Sequence, residues 1–312
     1  MTKALTIAHL SDVHLGPIRG FEPRYWTLKR LSGYWNWQRR RRTQHLRHVL
    51  DSLVADMQAQ APDHIVVTGD LANIGLPQEH IDALGWLESL GPPDRVSVIP
   101  GNHDIYARQI YARQPDPGTR RWAAYMASDL EGKLHLESDR EAEFPFVRRL
   151  RGLALIGLNS ALPTPPLIAA GRAGRAQLAA LASLLDSTGR AGLFRLVCIH
   201  HPPLPGQASR TRGLKDAAAL QAVLHRCGAE LVIHGHNHTN TLVLQPSSRG
   251  KPIPIVGVAS ASLAKRRGHE PLARYNLYRI EGPPWRIDLV GRGLADAAGE
   301  IGEIERRTLA DA

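Results

Sequence analysis

The sequence contains little cysteine. Cys198 and Cys227 are its only cysteines among 312 residues, and both lie in apolar stretches. Disulfide-stabilised secreted domains rely on several conserved pairs, so this usage argues against a disulfide framework. We expect two buried thiols in a protein from a reducing compartment.

The chain also lacks a long apolar run. Residues Met1 to Ile7 lead directly into a predicted strand, without the apolar region of a secretory signal. A transmembrane helix needs about 20 consecutive apolar residues, and the chain contains no such stretch. We therefore expect a cytoplasmic protein, with a peripheral position at a membrane as an alternative.

Several familiar signatures are missing as well. The sequence has no Gly-x-Ser-x-Gly or Walker motif, no internal repeat and no recognisable RNA- or DNA-binding module. Its formal charge of +10 suits anionic partners such as phosphate esters, anionic membranes or nucleic acid. Without a nucleic-acid-binding module, we expect a phosphate-ester substrate: a nucleotide, a phosphodiester or a lipid-linked phosphate.

Five short motifs rich in Asp, His and Asn each follow an apolar run that predicts a buried strand. They are Asp12-Val13-His14, Gly69-Asp70, Gly101-Asn102-His103-Asp104, Cys198-Ile199-His200-His201 and Gly235-His236-Asn237-His238. Any one of them alone has an ordinary explanation, such as a turn or a helix cap. Their order, and their placement at strand ends, predict that they form one site.

The motifs supply seven oxygen or imidazole donors, more than one divalent ion would take from a protein. Asp70 can bridge two ions through its two carboxylate oxygens. The predicted sets are Asp12, His14, Asp70 and His238 for one ion, and Asp70, Asn102, His200 and His236 for the other. Imidazole mixed with hard oxygen, without thiolate, favours manganese or iron, with zinc or nickel as alternatives. Two metals about 3.5–4 Å apart can activate a bridging hydroxide for in-line attack on phosphorus.

The order of these motifs resembles that of the calcineurin-like metallophosphoesterase family, over about residues 5–260. The resemblance implies an α/β fold, the αββα sandwich of two mixed β-sheets flanked by helices, formed by residues 1–312 as a single domain. It also implies the two ligand sets above. His103 would face the substrate and assist the leaving group without binding metal, acting in catalysis with Asn102 and Asp70.

One position departs from the family pattern. The family often has Gly-Asp-x-x-Asp, whereas Gly69-Asp70-Leu71-Ala72 is followed here by Asn73. Asn73 cannot ionise, so it gives a protonated His103 less support than an aspartate would. Asp104 is an alternative partner, although adjacent residues on an extended loop usually point apart. This substitution favours substrates with good leaving groups.

A second group of residues resembles the class III cyclic-nucleotide phosphodiesterase branch of the family. It comprises Leu158-Asn159-Ser160, Gly171, Gln177-Leu178 and His200-His201-Pro202-Pro203. His201 would line the substrate pocket. The loop from Gly206 to Lys215 would place Arg210 and Arg212 near a second phosphate or an acidic head group, and a solvated loop is the alternative.

The segment from Arg19 to Arg47 is basic and aromatic. It holds nine Lys or Arg residues and three of the six tryptophans, two of them Trp35 and Trp37. We predict a short helix over Arg24 to Gly33 and a longer one from Arg39 or Thr43 to Gln60. Three roles remain open: a structural cap, a substrate-binding wall, or contact with anionic lipid. Loosely similar insertions occur in family members that cleave UDP-diacylglucosamine.

The rest of the chain is expected to complete the fold. Tyr106 to Leu130 predicts a helical connection broken near Pro115. Four further runs predict strands of the second sheet, and the polar tail from about Ala295 predicts a helix. The strand runs are Thr241 to Leu244, Ile253 to Val258, Ala273 to Ile280 and Arg286 to Val290.

The function expected from these features is that of a dinuclear metal-dependent phosphoesterase, with a phosphodiesterase favoured. One alternative is a pyrophosphatase acting on a nucleotide-linked lipid such as UDP-2,3-diacylglucosamine. An alternative of another class is a non-catalytic scaffold with the same fold. Scaffolds commonly lose donors, whereas this chain retains all seven together with His103.

Overall fold

The computed structural model describes residues 4–107, 118–130, 133–134, 144–266, 268–296 and 299–310. In chain order the strands are β1 Leu5–Leu10, β2 His64–Val67, β3 Val96–Val98, β4 Asp129–Leu130, β5 Lys133–Leu134, β6 Phe146–Leu150, β7 Leu153–Gly157, β8 Phe194–Cys198, β9 Leu231–His234, β10 Thr241–Gln245, β11 Ile253–Gly257, β12 Arg274–Glu281, β13 Arg286–Leu294 and β14 Ile301–Ala310. The α-helices are α1 Leu28–Arg39, α2 Arg47–Ala59, α3 Pro77–Leu90, α4 Arg175–Arg190 and α5 Ala217–Cys227. Short 3-10 helices cover Pro23–Tyr25, Arg41–Thr43 and Gly118–Met126.

Two six-stranded mixed sheets form the centre of the molecule, which confirms the predicted fold class. The first sheet has the order β14-β13-β12-β1-β2-β3, and the second has the order β10-β11-β9-β8-β7-β6. One apolar core joins the facing sides of the sheets with α2 and α3. A second core packs α4 and α5 against the second sheet.

The parallel strands place the motifs at one edge of the sandwich. Strands β1, β2 and β3 run parallel in the first sheet, as do β7, β8 and β9 in the second. Their carboxyl ends lead into the motifs, and an isolated bridge between Ser11 and Ser260 joins the two sheets there. These strands are short and mostly buried, and the motifs that carry the predicted donors lie directly after them.

Two predicted helices have wrong boundaries. The first helix runs from Leu28 to Arg39 rather than from Arg24 to Gly33, because the Thr27 hydroxyl accepts a hydrogen bond from the Arg30 amide at 3.2 Å and caps the helix there. Gly33 does not end the helix but lies inside it. The second helix begins only at Arg47 and ends at Ala59.

The C-terminal strands were also assigned wrongly. Strands β12 and β13 belong to the first sheet, where β12 pairs antiparallel with β1, and only β10 and β11 join the second. The tail forms β14 rather than a helix, since it pairs along β13 over most of its length. Tertiary pairing decides the conformation of such a polar segment more than its local composition does.

Several further expectations can be compared with the structure. Cys198 and Cys227 are buried free thiols, as predicted. Within the connection from Tyr106 to Leu130, residues 108–117 lie outside the described residues, and Gly118–Met126 forms a 3-10 helix. In the described part of the chain, no helix is both long enough and apolar enough to cross a membrane.

Candidate metal centre

The backbone is strained at most of the donor residues. Asp12, His14, Asp70, His236 and His238 have φ values of 53°, 46°, 56°, 69° and 54°. Side chains in this left-handed region cost about 1–2 kcal/mol each, because Cβ approaches the carbonyl oxygen. Strain of this kind persists where the surrounding structure enforces it, and it clusters at functional sites.

The glycines of the motifs are required by close approach of neighbouring loops. A Cβ on Gly101 would collide with the Asp70 carboxylate, and one on Gly235 would collide with the Ser11 hydroxyl and with the Asp12 carboxylate. Glycine at these positions lets the strand ends from both sheets come together around the donors.

The donors of the first predicted set lie close together. His14 Nε2 and His238 Nε2 are 3.3 Å apart, and His238 Nε2 is 3.2 Å from Asp12 Oδ1. Asp70 Oδ2 lies 4.0 Å from His14 Nε2. These four side chains are buried and converge on one point at the end of β1.

The second predicted set converges beside the first. His200 Nε2 lies 3.2 Å from Asn102 Oδ1 and 3.3 Å from His236 Nδ1. The same His200 nitrogen lies 3.5 Å from Asp70 Oδ2. The same oxygen, Asp70 Oδ2, therefore faces both sets, whereas Asp70 Oδ1 accepts a hydrogen bond from the His103 backbone amide. The predicted bridge through both carboxylate oxygens stays a prediction.

The charges and unsatisfied atoms of this cluster fit divalent cations. His236 Nε2 is buried and makes no hydrogen bond among the described residues, and Asp12 Oδ1 is buried beside His238 Nε2 at 3.2 Å. Burial opposes the charged form of His200 and of His238, yet the Asp70 and Asp12 carboxylates beside them raise the pKa of each to about 9. Such carboxylates favour positive charge at the centre, and metal ions can supply it in place of protons. The Asp and His groups thus support a dinuclear divalent metal centre.

Hydrogen bonds on the far side of the imidazoles orient them. His200 Nδ1 donates to the Thr68 carbonyl oxygen at 2.6 Å, and His14 Nδ1 lies 3.2 Å from the Ala72 carbonyl oxygen. His238 Nδ1 lies 3.4 Å from Glu270 Oε2. Bonds of this type hold the ring and leave Nε2 with its lone pair toward the centre.

His103 lies at the edge of the donor cluster and contacts the basic segment. Its backbone amide donates to Asp70 Oδ1 at 2.7 Å, and its Nδ1 donates to the Asn73 carbonyl oxygen. Arg41 Nη2 lies 3.1 Å from His103 Nε2. Burial, and then the Arg41 guanidinium, lower the pKa of His103 to about 3, so the ring is neutral in this arrangement.

Asp104 does not pair with His103. Its carboxylate accepts hydrogen bonds from the backbone amides of Asp70, Leu71, Ala72 and Gly101, at 2.8 to 2.9 Å. Burial and the nearby Asp70 carboxylate raise its pKa to about 7. The side chain therefore organises the loop that carries Asp70 and cannot replace the missing aspartate at Asn73.

The predicted substrate-binding residues are placed in different ways. His201 is buried, with Nδ1 2.8 Å from the Ser160 hydroxyl and Nε2 3.0 Å from the Ala169 carbonyl oxygen. Both ring nitrogens are therefore used inside the protein, and the role of His201 in lining a substrate pocket stays a prediction. Arg210 and Arg212 are both exposed on the same loop, and Arg212 Nη2 donates to the His236 carbonyl oxygen at 3.0 Å.

The two tryptophans predicted to bind substrate, Trp35 and Trp37, also differ in their exposure. Trp37 is 8% exposed and packs in an apolar cluster with Ile18, Ile74, Leu76 and Tyr106. A substrate-binding role for Trp37 stays a prediction. Trp35 is 58% exposed.

Sequence reasoning did not single out three side chains near the donors, although Arg41 belongs to the run Arg39 to Arg42 that was predicted to lie beside the metals. Arg41 lies in a run of four arginines, and nothing in the sequence distinguishes it from its neighbours. Glu270 comes from a loop without a motif. His45, whose ring lies 4.9 Å from that of His14, is fixed by a 2.9 Å contact of Nδ1 with the Ser262 hydroxyl. No local signal identifies Glu270 or His45, because only the fold brings them to the centre.

Known proteins of similar sequence are phosphodiesterases by name. The chain is 28% identical over 184 residues to a cAMP/cGMP dual specificity phosphodiesterase of Mycobacterium tuberculosis, which covers 58% of this chain and 50% of that protein. It is 27% identical over 192 residues to a probable cyclic nucleotide phosphodiesterase of Synechococcus, which covers 60% of this chain and 62% of that protein. The matched regions thus span only half to three fifths of these relatives.

Solved structures share the fold at low sequence identity. A dimetal phosphatase from Danio rerio superposes with a TM-score of 0.61 at 16% identity, over 98% of each chain. A purple acid phosphatase from yellow lupin seeds gives 0.58 at 11% identity, over 99% of this chain and 54% of that one. At these identities the likeness concerns the fold alone.

The family is identified by a match of the whole motif series. Residues 5–240, which include every donor described above, match the calcineurin-like phosphoesterase family. The match agrees with the two mixed sheets and with the convergence of Asp and His groups at their ends. The chain therefore belongs to the calcineurin-like phosphoesterase family.

Proposed function

We propose that this protein is a dinuclear metal-dependent phosphodiesterase. The observation that carries the proposal is the convergence of both donor sets on Asp70, whose Oδ2 lies 3.5 Å from His200 Nε2 and 4.0 Å from His14 Nε2. Asp12, His14, Asp70 and His238 would hold one ion, and Asp70, Asn102, His200 and His236 the other. Manganese or iron suits these donors, and zinc or nickel is the alternative.

Two bound divalent ions would activate water as a nucleophile and neutralise charge on the phosphoryl oxygens. The protein's own residues orient the substrate for that reaction. Arg41 presents its guanidinium beside His103, at the rim of the donor cluster. A guanidinium in this position can bind two non-bridging phosphoryl oxygens through two parallel hydrogen bonds.

His103 would assist the leaving group once substrate is present. In the resting arrangement Arg41 lies against Nε2 and disfavours the charged ring. A phosphate anion that engages Arg41 reduces this repulsion and favours protonation of Nε2. The Asn73 carbonyl oxygen meanwhile holds Nδ1–H and fixes the ring orientation. His103 would then donate a proton, or a hydrogen bond, to the departing oxygen.

The similarity to cyclic-nucleotide phosphodiesterases favours a diester over a monoester substrate. Protein loaded with manganese should be assayed with bis-p-nitrophenyl phosphate, p-nitrophenyl phosphate, cyclic AMP and cyclic GMP. We expect the diesters to have the higher kcat/KM. A clear preference for the monoester would contradict the phosphodiesterase proposal while leaving the phosphoesterase family unaffected.

A lipid-linked pyrophosphate is the second candidate substrate. The observation that favours it is the exposure of Leu28 and Trp35 on α1, the helix that packs beside Tyr106 and His103. A nucleotide-linked diacyl lipid should therefore be included in the substrate series. Two bound metal equivalents without turnover of any of these substrates would favour the non-catalytic scaffold instead.

A further inference from the structure

Helix α1 departs from the usual polarity of a surface helix, although Trp37 is buried on its inner side. Its buried side chains include Lys29 and Arg30, which are 7% and 4% exposed. Its exposed side chains include Leu28, Leu31 and Trp35, at 80%, 41% and 58%. A surface helix ordinarily turns its apolar stripe inward and its charges outward. The outward face of α1 is therefore apolar.

Specific contacts fix this rotation of the helix. Lys29 Nζ donates to the Thr164 hydroxyl at 2.5 Å and lies 4.5 Å from the centre of the Tyr106 ring. Arg30 donates to the carbonyl oxygens of Ile74 and Gly75 at 3.2 and 2.8 Å. Rotating the helix to bury its leucines would break these bonds and expose both cations, so the apolar face is a stable property of the fold.

The exposed apolar residues form one continuous stripe. Leu28, Leu31 and Trp35 are spaced by three and then four positions, so they lie above one another on the helix. Trp26, just before the helix, is 50% exposed as well. Single exposed apolar residues are ordinary, but a contiguous group of them is typical of a surface that contacts another protein or a membrane.

Positive charge borders the stripe. Arg39, Arg40 and Arg42 are exposed at the end of α1, and the Arg39 guanidinium lies 4.1 Å from the centre of the Trp35 ring. Residues 19–47 contain nine Lys or Arg and one acidic residue, Glu22. Leucine and tryptophan next to arginine match the layers of an anionic bilayer: acyl chains, interface and phosphate head groups.

We propose that this face of α1, formed by Trp26, Leu28, Leu31, Trp35, Arg39, Arg40 and Arg42, docks on the surface of an anionic membrane. The leucines would enter the acyl boundary, the tryptophans would lie at head-group level, and the arginines would bind lipid phosphates. Exposed leucines distinguish this surface from one that binds nucleic acid, where stacking rings and cations suffice. The docking does not depend on the proposed catalytic activity.

Membrane docking would bring the metal centre to the lipid surface. On its inner side α1 packs so closely that a Cβ on Gly33 would meet the Tyr106 side chain, and the Tyr106 ring stacks on His103 with centroids 5.2 Å apart. The docking face and the donor cluster are thus separated by one helix and one ring. If the proposed phosphodiesterase activity holds, its substrates include a phosphate ester carried by a lipid.

Co-sedimentation with vesicles tests the docking. Vesicles of phosphatidylcholine alone should retain little protein, and vesicles that also contain phosphatidylglycerol should bind it. The double variant Leu28→Ser, Leu31→Ser should weaken binding by about tenfold or more, because the apolar surface of two leucines is no longer transferred from water into the bilayer. The double variant Arg39→Gln, Arg40→Gln should weaken it by about fivefold for each charge removed.

Matched control variants distinguish a specific role of this face of α1 from the general effect of removing an exposed leucine or two exposed charges. Leu244→Ser removes a leucine that is 53% exposed on β10, and Arg175→Gln with Arg190→Gln removes two exposed charges from α4. Both controls should bind like the unaltered protein. Tryptophan fluorescence should shift to the blue on vesicle binding, and the double variant Trp26→Phe, Trp35→Phe should remove most of the shift. Each variant changes exposed side chains, and unaltered melting temperatures would verify its folding.

Several results would overturn the proposal. The unaltered protein could fail to bind anionic vesicles, or it could bind neutral vesicles equally well. The control variants could also lose as much vesicle binding as the variants of the α1 face. Self-association that Leu28→Ser and Leu31→Ser abolish, without vesicle binding, would assign the face to a second copy of this chain. RNA binding that needs the arginines but not the leucines would assign it to nucleic acid.

Discussion

Arg41 is the residue through which the basic segment reaches the metal centre. Its guanidinium lies 3.1 Å from His103 Nε2. Burial lowers the pKa of His14, and the charge of Arg41 lowers it further. A cation that is already fixed at the rim of a buried centre stabilises the charge that develops on a phosphoryl group, because it needs little reorganisation during the reaction. Arg41 therefore has a role that its three exposed or partly exposed arginine neighbours do not share.

We expect Arg41→Gln to lower kcat/KM by about 10²-fold, as loss of a positioned charge-stabilising donor typically does. Metal content should stay unchanged, because Arg41 is not a donor. Arg42→Gln is the matched control, since Arg42 is exposed and donates to Gln38 Oε1 at 3.0 Å. Steady-state kinetics with bis-p-nitrophenyl phosphate would measure both variants, and similar losses in the two would refute a specific role for Arg41.

The expected result for His103→Ala depends on the leaving group. Both metals should remain bound, and the loss should be large for alkyl leaving groups, which need a proton, and small for p-nitrophenolate. General acid–base assistance typically contributes about 10²–10⁴-fold. A series of diesters with leaving groups of different pKa would measure the difference. Equal losses across the series would restrict His103 to electrostatic stabilisation.

The donors could be predicted from sequence because each is carried by a motif at a strand end. Asp104 and Asn73 could not be fully interpreted in this way. Asp104 is adjacent to His103 in the chain, but its carboxylate accepts from three backbone amides of the neighbouring loop and from the Gly101 amide of its own loop. Asn73 contributes its carbonyl oxygen to His103, an interaction that side-chain identity does not reveal.

At the scale of elements, α1 shows how tertiary contacts override local signals. Gly33 was interpreted as a helix terminus, since glycine ends many helices. In the structure it is the point of closest contact between α1 and the site, because a Cβ there would lie 2.9 Å from Ile74 Cγ2 and would collide with the Tyr106 hydroxyl. The glycine is required by packing, not by backbone conformation.

This contact reverses the usual effect of replacing a helical glycine by alanine. Gly85 in α3 has no atom within 4 Å of an added Cβ, so Gly85→Ala should stabilise the protein by about 0.5–1 kcal/mol. Gly33→Ala should instead lower the melting temperature, and it should lower turnover by displacing Tyr106 from His103. Thermal denaturation and kinetics of the pair provide the measurement. Stabilisation by both substitutions would show that α1 does not pack tightly on Tyr106.

The C-terminal strands show a second limit of sequence reasoning. Alternation and apolar runs identified β12 and β13 as strands, but not the sheet to which they belong. Strand β12 lies beside β1, so the chain returns to the first sheet after completing the second. Local patterns do not encode such long-range pairing, and β14 depends on β13 in the same way.

At the scale of the whole molecule, the metal centre joins the two sheets. Asp12, Asp70 and Asn102 follow strands of the first sheet, whereas His200 and His236 follow strands of the second. Ions held by both sets of loops would stabilise the sandwich and offset the backbone strain at the donors. The folded state should therefore be more stable with metal bound.

Metal addition is expected to raise the free energy of unfolding. At a free manganese concentration of about 100 times Kd, one site contributes about 2.7 kcal/mol through mass action. Urea denaturation of chelator-treated and manganese-loaded protein would measure the change. Identical denaturation midpoints with and without manganese would contradict a centre that binds ions between the sheets.

The most direct test of the dinuclear centre is the metal content and turnover of Asp70→Ala. We expect the unaltered protein to bind two metal equivalents, and Asp70→Ala to lose metal at both positions and to have no activity. Asp186→Ala, which removes a surface carboxylate paired with Arg249, should behave like the unaltered protein. Two full metal equivalents with near-normal turnover in Asp70→Ala would contradict the bridging role and the two-metal account that depends on it.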